Sequence, residues 1–505
     1  MRTLIYTILF FSFINASGQP CLRVYKQAQK YFKARQLEEA LKAIKDLEYC
    51  DERDNLTAQR QKLQDSIFTA INQQRLYALK ARAEAQAAKD RAESALQITT
   101  AVLNQLYFYE DKFGLTLKNK GAYYDPLFKY GYINKEGDVV IDFEYDEASP
   151  FYVVDSYARV SKGEYIYLLD TTNHTYLLTT NLDDNNPGNK HALDLHLQRP
   201  IVLGEEVENF TELEVLLAYG EGSNNGKLVS LPDNLGKLEK LKDLNLHSNR
   251  LEILPGQIKA LKNLQFLNLS DNNLQELGAE VGELQNLRSL YLHDNALAAL
   301  PFQIGKLDQL EVLELSDNQI NRLPSSLKNL RSLTSLSLRD NQLSYIPSEI
   351  GELAKLRKVS FRTNRITDVP PSVGNLTSLT NLDLSDNSIS QLPEEVGGMK
   401  NLKSLLLGSN KLNQLPNSIG DLPKLEILKL DTNKISSLPK TLGKLQGLDT
   451  LILRTNLISS IPKELSSLEG LQTLDLSDNQ ISSLPYQIRG LKSIANLNLS
   501  LNKLG

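Results

Sequence analysis

Histidine and cysteine, which build many hydrolytic and metal sites, are sparse in this chain. It has five histidines and two cysteines among 505 residues. The histidines show no His-Glu-x-x-His spacing and no Gly-x-Ser-x-Gly elbow is present, so neither a zinc peptidase nor an α/β-hydrolase site is indicated. We therefore predict no catalytic residue, no metal ligand and no cofactor. The histidines are His174, His191, His196, His247 and His293.

Two short segments bear a superficial likeness to ligand-binding loops. The glycine-rich stretch at 220–228 contains Lys227, but its glycines have the wrong spacing for a phosphate loop and no serine or threonine follows the lysine. Asp183, Asn185 and Asp194 fall at calcium-loop offsets, but Pro187 interrupts the series of ligands. We predict that neither segment binds a nucleotide or a metal ion.

The residues with the strongest binding chemistry lie at outward positions between regularly spaced leucines in the second half of the chain. Exposed apolar and aromatic side chains beside cations have the composition of protein-interface anchors. The alternative is that the aromatic and β-branched residues only support a sheet, as their strand preference predicts. The candidate ligand-binding residues are Phe266, Tyr291, Val312, Arg339, Lys358, Arg362, Leu406, Ile427, Lys429, Ile452 and Arg454.

These candidates are positioned by a repeating unit that ends in asparagine. Asparagines recur every 23 residues, and each closes a phrase close to Leu-x-x-Leu-x-Leu-x-x-Asn, as from Leu310 to Asn318. Self-similarity at a fixed period is typical of stacked repeats, in which each unit buries its apolar face against its neighbours. The series is Asn249, Asn272, Asn295, Asn318, Asn341, Asn364, Asn387, Asn410, Asn433, Asn456, Asn479 and Asn502.

Each unit combines a short strand, a turn and a return segment. The alternation Leu313-Glu314-Leu315 directs two leucines inward and the glutamate outward. The asparagine amide can then satisfy backbone groups that the turn leaves unpaired. A proline such as Pro324 ends the extended segment and favours a short helical or 3₁₀ return. We interpret the aspartates that precede many of the asparagines as turn residues: Asp271, Asp294, Asp317, Asp340, Asp386 and Asp478.

The strand phrase and its back segment, as at 346–353, resemble the leucine-rich repeat family, and within it the 23-residue class with a Leu-Pro-x-x-Ile-Gly back. The resemblance extends from residue 191 to residue 505, with twelve regular units at 241–505. It implies an α/β solenoid, a horseshoe with a parallel sheet on its concave face. Ras-group plant repeats and Scribble-like polarity proteins belong to this class, so the resemblance also implies a protein-binding scaffold without specifying the partner.

Units at the two ends of the array depart from the pattern. Leu193 and Leu195 occupy strand positions with Gln198 in the place of asparagine, and terminal repeats are usually atypical because they cap the core. We predict a linker and such capping repeats at 183–240. At the other end Leu501 replaces the usual aspartate or threonine and no polar cap follows. Either the array continues further, or its end face binds a partner. That partner could be a second copy of the chain.

The N-terminal segment has the pattern of an export signal. A basic start is followed by an apolar run from Leu4 to Ile14 and by small residues up to Gly18, after which we predict cleavage. The signal peptide is then 1–18, and the alternative is a retained, buried strand or helix. The apolar run is short for a membrane span, and no later segment reaches the required length, so we predict no transmembrane span.

An all-α segment is predicted between the signal and residue 107. Apolar spacing at 19–52 resembles a tetratricopeptide-type helical hairpin, whose ends a Cys21–Cys50 disulfide could clamp in an exported chain; two free thiols are the alternative. Residues 53–107 lack proline and glycine, which predicts a long helix. Its alanine-rich face permits coiled-coil pairing and self-association, while a self-folded hairpin or a solvated stalk fits equally well.

A small antiparallel β module is predicted at 108–182. Residues 130–141 form two strands around an Asn-Lys-Glu-Gly turn. Together with residues 143–160 they resemble the WG-type β repeat common in bacterial surface and signalling proteins. A second copy begins near Gly163, where Tyr165 stands in for the usual tryptophan. The resemblance implies an architectural or adhesive role.

Charge and composition narrow the class of partner. A formal net charge of -5 with 23% charged residues gives no strongly basic face, which argues against nucleic acid. We predict an exported, non-enzymatic recognition protein of bacterial origin that binds a protein, or a glycan, on the concave face. The alternative is an intracellular signalling scaffold that retains residues 1–20. An enzyme with an unfamiliar site at 108–190 is a third hypothesis.

Overall fold

The computed structural model describes residues 116–120, 129–133, 139–149, 157–184, 186–196, 198, 201, 203–220 and 228–504. The chain divides into two compact units, residues 1–113 and 114–505, and every described residue belongs to the second. The predicted signal peptide, helical hairpin, long helix and Cys21–Cys50 disulfide lie outside the described residues.

An antiparallel β module precedes the repeats. Its first three strands form one sheet in the order β1-β2-β3, and the next four form a meander of antiparallel neighbours. The two groups share a core of Tyr132, Ile141 and Tyr145 from the first, and Ala158 and Val160 from the second. The strands are β1 (Thr116–Lys120), β2 (Lys129–Ile133), β3 (Val139–Tyr145), β4 (Glu147–Ala148), β5 (Ala158–Lys162), β6 (Tyr165–Leu169) and β7 (Thr175–Thr179).

The meander continues directly into the repeats. β7 pairs in parallel with β8, and from β8 onward each strand pairs in parallel with the next, up to β21. Within the described chain no pair joins β21 to β4, so the sheet is an open ladder. The start of the predicted linker lies between β7 and β8, and it therefore connects two strands that are paired with each other. The repeat strands are β8 (Ala192–Asp194), β9 (Val215–Leu217), β10 (Asp243–Asn245), β11 (Phe266–Asn268), β12 (Ser289–Tyr291), β13 (Val312–Glu314), β14 (Ser335–Ser337), β15 (Lys358–Ser360), β16 (Asn381–Asp383), β17 (Ser404–Leu406), β18 (Ile427–Lys429), β19 (Thr450–Ile452), β20 (Thr473–Asp475) and β21 (Asn496–Asn498).

Each regular repeat returns through a 3₁₀ helix, and these helices stack on one another as the strands do. A proline lies immediately before most of them, where its fixed φ suits the extended residue that leads into the turn, and Gly278 takes its place in one repeat. The return predicted from the Leu-Pro phrase is thus a 3₁₀ helix. The helices span Pro187–Asn189, Glu205–Asn209, Asp233–Lys237, Gly256–Ala260, Ala279–Glu283, Phe302–Lys306, Ser325–Asn329, Ser348–Glu352, Pro371–Asn375, Glu394–Gly398, Asn417–Asp421, Lys440–Lys444, Lys463–Ser467 and Tyr486–Gly490.

The core consists of apolar columns that run along the stack. In the parallel register Leu313 lies between Leu290 and Leu336 of the neighbouring strands, and all three are buried. Ile304 and Leu327 of the 3₁₀ helices belong to the same cluster. Full burial of such a side chain contributes roughly 1.5–3 kcal/mol, and each unit shares its core with both neighbours. The predicted repeat solenoid is confirmed.

The repeated asparagine links the backbones of successive units. The Nδ2 of Asn341 donates to the carbonyl oxygens of Leu315 at 2.9 Å, Leu338 at 3.2 Å and Arg339 at 3.1 Å. Its Oδ1 accepts a hydrogen bond from the backbone N–H of Ile320 at 2.9 Å. One side chain therefore satisfies four backbone groups in two units. The same bonds recur at the other asparagines of the series.

The residue before each asparagine has a left-handed backbone, with φ between 51° and 56°. Aspartate tolerates this region better than most residues because its short side chain forms local hydrogen bonds. This conformation is the physical reason for the recurring aspartates. Thr363, Thr432 and Thr455 place β-branched side chains at the same position, where such side chains are strained.

Glycine in the 3₁₀ helices allows adjacent units to approach closely. A Cβ added to Gly397 would lie 2.8 Å from both the Cβ and the backbone oxygen of Ser418 in the next unit. That is closer than Cβ atoms come in real structures, so one of the two units must shift. Lys328 occupies the equivalent position of an earlier unit. The fold can therefore adjust, at a cost.

We expect Gly397→Ala to lower the free energy of unfolding by about 1–3 kcal/mol, the usual range for overpacking. The matched control is Gly470→Ala, whose added Cβ would lie 3.7 Å from the carbonyl oxygen of Gln446, an ordinary contact. It should change stability by less than about 0.5 kcal/mol. Urea denaturation of the two variants measures both values. Equal effects would contradict the close-approach explanation.

Candidate ligand-binding face

We call the side of β8–β21 that lies opposite the leucine core the outer sheet face. Its residues alternate with the buried leucines, so that Val312 and Glu314 flank Leu313 and are half-buried. All the candidate ligand-binding residues lie on this face, on strands β11–β19 or two residues beyond a strand. Lys429 and Arg454 are exposed, and the other candidates are half-buried.

The β module covers the N-terminal part of this face. Ala192, Val215 and Leu217 project from β8 and β9 into a buried cluster with Tyr157 and Leu168 of the module. These strand positions are equivalent to those of Val312 and Glu314 in the centre of the array, which are only half-buried. The first candidate residue predicted from the sequence lies on β11. The outer positions of β8 and β9 are apolar because the module covers them, so they are not available to a ligand.

A buried ion pair fixes the module to the first repeat. Arg159 of β5 donates from Nε to Oδ2 of Asp194 on β8 at 2.9 Å, and a terminal nitrogen lies 2.7 Å from the same oxygen. His196 Nδ1 lies 2.5 Å from the other carboxylate oxygen. Burial alone would raise the pKa of Asp194, but the hydrogen bond from His196 and the charge of Arg159 outweigh it and hold the pKa below its usual range. Asp194 is therefore ionised at neutral pH.

A second contact joins the module to the third repeat strand. The Tyr157 hydroxyl donates to Oδ2 of Asp243 on β10 at 2.9 Å. Burial, followed by the charge of Asp243, raises the pKa of Tyr157 well above its ordinary value. The phenol therefore keeps its proton and remains a donor. The two contacts together anchor the module across β8–β10.

Aromatic rings stack along the outer sheet face beside these contacts. Tyr219 lies between His196 and His247, with ring centroids 4.8 Å and 4.6 Å away and interplanar angles of 19° and 17°. Phe266 and Tyr291 follow as a tilted pair with centroids 5.3 Å apart. Sequence analysis identified the pair but missed the stack. The signal was present, because the three stacked residues all lie two positions before the asparagine position of their units.

The arginines in the centre of the face are paired within the protein. Arg339 forms an ion pair with Asp340, and Arg362 Nε donates to Oδ2 of Asp386 at 2.9 Å. Such partly exposed pairs contribute about 0–1 kcal/mol each to stability. Each arginine is already satisfied by a neighbouring carboxylate, so a ligand that bound it would have to compete with that carboxylate.

Glu314 of β13 lies between these arginines and the aromatic pair. Burial raises its pKa to about 7, and the charge of His293 and a hydrogen bond from Ser337 oppose this only in part. Sequence analysis recognised the outward direction of Glu314 from the strand alternation. It did not identify the residue as a site candidate, because the degree of burial depends on the side chains of neighbouring units.

Replacement of Glu314 by glutamine should remove a pH dependence of stability. The ordinary pKa of the carboxyl is 4.5, so between that value and about 7 the folded state holds a proton that the unfolded state has lost. Stability therefore falls as pH rises through this interval, by about 1–3 kcal/mol. Urea denaturation at several pH values should show a flatter profile for Glu314→Gln. The same flattening in Glu352→Gln, at an exposed position of a 3₁₀ helix, would contradict the assignment.

Apolar residues and exposed cations alternate over β17–β19. In the parallel register Leu406, Lys429 and Ile452 lie side by side on adjacent strands. Ile427 precedes Lys429 by two residues and Arg454 follows Ile452 by two, so both are on the same side of the sheet. The structure therefore brings these five sequence-predicted residues together on one surface.

Family models match most of the repeat array. A leucine-rich repeat region model matches residues 197–314, 279–363 and 340–454, and a leucine rich repeat model matches residues 446–504. The chain is a leucine-rich repeat protein. A WG containing repeat model matches residues 130–165, which confirms the resemblance predicted for the β module. No curated protein matches the chain.

Solved leucine-rich repeat structures share the fold. A leucine-rich repeat protein of Leptospira interrogans is 35% identical with a TM-score of 0.57, and the match covers 64% of this chain and 88% of that one. An internalin from Listeria monocytogenes is 27% identical with a TM-score of 0.51, covering 60% and 84%. A plant peptide hormone receptor in complex with RGF2 is 28% identical with a TM-score of 0.54, covering 64% and 58%.

The described residues as a whole show neither a membrane-spanning helix nor a metal-binding cluster. Across the described residues, no helix combines the length and apolarity needed to span a membrane. The same part of the chain contains no group of three or more histidine, cysteine or acidic side chains arranged to hold a metal ion.

Proposed function

We propose that this leucine-rich repeat protein is a non-enzymatic recognition protein that binds a protein ligand on the outer sheet face, which forms the concave side of the solenoid. The observation that carries the proposal is the concentration of half-buried aromatic and aliphatic residues with cations on β11–β19. Aromatic and arginine side chains held on a rigid surface are the usual anchors of protein interfaces. The peptide hormone receptor with a similar fold is consistent with a protein ligand.

The covered β8–β10 region gives the proposed binding face a defined limit. Because the β module occupies the outer positions of β8 and β9, a ligand has access only beyond them. The aromatic pair Phe266 and Tyr291 lies next to that limit. We propose that the WG-type module has an architectural role, as the element that caps the array and forms one wall of the binding face.

We propose in addition that the chain is exported. The support is the pattern of residues 1–18, with its apolar run and small residues before Gly18. N-terminal sequencing of the mature protein tests this. A product that begins at Met1 would favour the alternative, an intracellular signalling scaffold of the Ras-group type.

We also assign the repeats to the 23-residue class and residues 19–52 to a tetratricopeptide-like hairpin.

Photo-crosslinking on the full-length protein tests the binding face. A photoreactive amino acid replaces Ser335, which is half-buried on β14, or Ser348, which is exposed at the start of a 3₁₀ helix. We expect crosslinks to a protein ligand from position 335 and not from position 348. Crosslinks that are equally frequent from both positions, or absent from position 335, would overturn the proposal.

Replacement of Tyr291 by alanine should weaken binding of the crosslinked ligand by about five- to thirtyfold, the effect of losing an aromatic anchor. The free energy of unfolding should fall by no more than about 1 kcal/mol, since the ring lies outside the leucine core. Tyr345→Ala is the matched control, because that residue is 48% exposed and lies between β14 and the next 3₁₀ helix, away from the strands. It should leave the affinity unchanged.

A further inference from the structure

We propose that β17–β19 form the principal docking subsite and that its occupant is an acidic segment of the protein ligand that carries apolar side chains. This inference rests on the proposed function and deepens it. The subsite consists of Leu406, Ile427, Ile452, Lys429 and Arg454. It differs from the rest of the outer sheet face in the register of its side chains, in the lack of ion pairs at its cations among the described residues, and in the carboxylates on either side of it.

The register places one cation between two apolar side chains. Leu406 pairs with Lys429, and Lys429 pairs with Ile452, on three adjacent parallel strands. Adjacent strands lie about 4.8 Å apart, so the row is about 10 Å long. An extended segment that crosses the strands would cover this row with about three residues at 3.3 Å per residue. Successive side chains of such a segment point to opposite sides, so every second residue faces the row, and these residues could be apolar and carboxylate in turn.

The two cations of the subsite differ from the other arginines of the face. Among the described residues, Lys429 and Arg454 are exposed and form no ion pair within 4 Å. Arg339 and Arg362, in contrast, are held by Asp340 and Asp386. A ligand carboxylate can therefore bind the two cations of the subsite without displacing a carboxylate of the protein. The desolvation it causes is limited to its own charge and theirs.

Asp431, which lies beside the subsite two residues beyond β18, leans toward Gly408 and forms no ion pair with Arg454 within the described residues. A Cβ placed on Gly408 would lie 2.8 Å from Oδ1 of Asp431, which shows that the Asp431 side chain leans over that glycine, in the preceding unit. Arg454 lies in the following unit. The absence of a side chain at Gly408 therefore gives Asp431 a position on the far side and leaves Arg454 for an external anion.

Carboxylates also mark the two limits of the subsite. Asp383 on β16 and Asp475 on β20 occupy the strand position that Lys429 occupies on β18. Both are half-buried, and Asp475 accepts hydrogen bonds from the backbone N–H and the hydroxyl of Ser477. An acidic segment would be repelled by both and attracted between them. The exposed Lys411 and Lys434 in the adjoining turns extend the positive region along one side.

Labelled synthetic peptides provide the probe, and the full-length protein is titrated with each by fluorescence anisotropy. The first peptide carries glutamate and leucine in turn at every second position, with serine between them, so that both types lie on one side of an extended chain. The second replaces glutamate with lysine, and the third replaces leucine with serine. We expect only the first to bind measurably. The double charge reversal K429E/R454E should weaken that binding at least tenfold, as loss of two favourable charge contacts predicts. Higher salt should weaken binding to the unmodified protein more than to the variant.

K440E/K463E is the matched control, because both lysines are exposed on the 3₁₀ helices and the net charge changes equally. It should retain binding. K429Q/R454Q, checked for native thermal unfolding, separates loss of contact from local misfolding. The proposal is overturned if the glutamate–leucine peptide does not bind, if the lysine–leucine peptide binds equally well, or if K429E/R454E has no effect. In each of these cases ligand crosslinking from position 335 would still support the proposed function, and its absence would refute that function separately.

Discussion

Replacement of Arg159 by leucine will lower the free energy of unfolding of the β module and first repeats by about 3–5 kcal/mol. Asp194 is nearly inaccessible to solvent, with 3% of its side chain exposed, and Arg159 provides two contacts to its Oδ2. Loss of the guanidinium leaves a buried carboxylate that keeps its contact with His196 but lacks the opposite charge of Arg159. In hydrogen exchange followed by mass spectrometry, Arg159→Leu should speed the exchange of the backbone amides in β7–β9, relative to the unmodified protein. The amides in β14–β18 should change less.

A double-mutant cycle tests the cause of this loss. In Arg159→Leu/Asp194→Leu both charges are removed, so the destabilisation should be smaller than in Arg159→Leu alone. Because the folded pKa of Asp194 is depressed, the contribution of the pair is present above the ordinary carboxyl pKa and is lost as pH falls through the folded value. The unmodified protein and Arg159→Leu should therefore converge in stability at low pH. Additive single effects would show that the ion pair is not the source of stability.

Replacement of Asn341 by leucine will lower the free energy of unfolding by about 2–4 kcal/mol. The change leaves the buried N–H of Ile320 without its acceptor and removes the donor from three carbonyl oxygens. An unsatisfied buried backbone group costs about 1–3 kcal/mol, and leucine cannot replace any of these bonds. The effect should be local at first, because a solenoid is held together by contacts between neighbouring units.

Asn329→Leu is the control for Asn341→Leu. Asn329 is exposed at the end of a 3₁₀ helix in the adjacent unit, so its replacement should change stability by less than about 0.5 kcal/mol. Urea denaturation measures both variants, and hydrogen exchange should locate the weakened region around Ile320 and Leu343. An Asn341→Leu variant that is as stable as the unmodified protein would mean that the asparagine bonds are replaced by water at little cost.

The candidate residues illustrate how far sequence analysis reached. Strand alternation alone placed Phe266, Tyr291 and Ile452 outside the core, because their direction depends only on the residues before and after them. The pairing of Arg339 and Arg362 with Asp340 and Asp386 could not be inferred, because the direction of a turn side chain depends on its neighbours in adjacent units. The interpretation of the two aspartates as turn residues agrees with their positive φ, and the structure shows that the same side chains also bind the arginines.

The contacts between the β module and the first repeats were likewise beyond sequence analysis. Arg159 and Asp194 are 35 residues apart, and Tyr157 and Asp243 are 86 apart. Nothing in the local pattern connects them, since the module and the repeats have different periods. The pairing of β7 with β8 brings the module and the repeats together. The segment predicted as a linker therefore connects two strands that are hydrogen-bonded neighbours.

The sequence by itself determined the repeating unit of this protein, because the leucines, the asparagine and the proline act over a few residues and recur at a constant spacing of 23. Each copy folds by the same local rules, so the register between copies follows from the repeat. Only the tertiary structure decided which part of the outer sheet face is covered and which cations remain unpaired. Those properties depend on side chains from different units and modules, whose distances are set by packing.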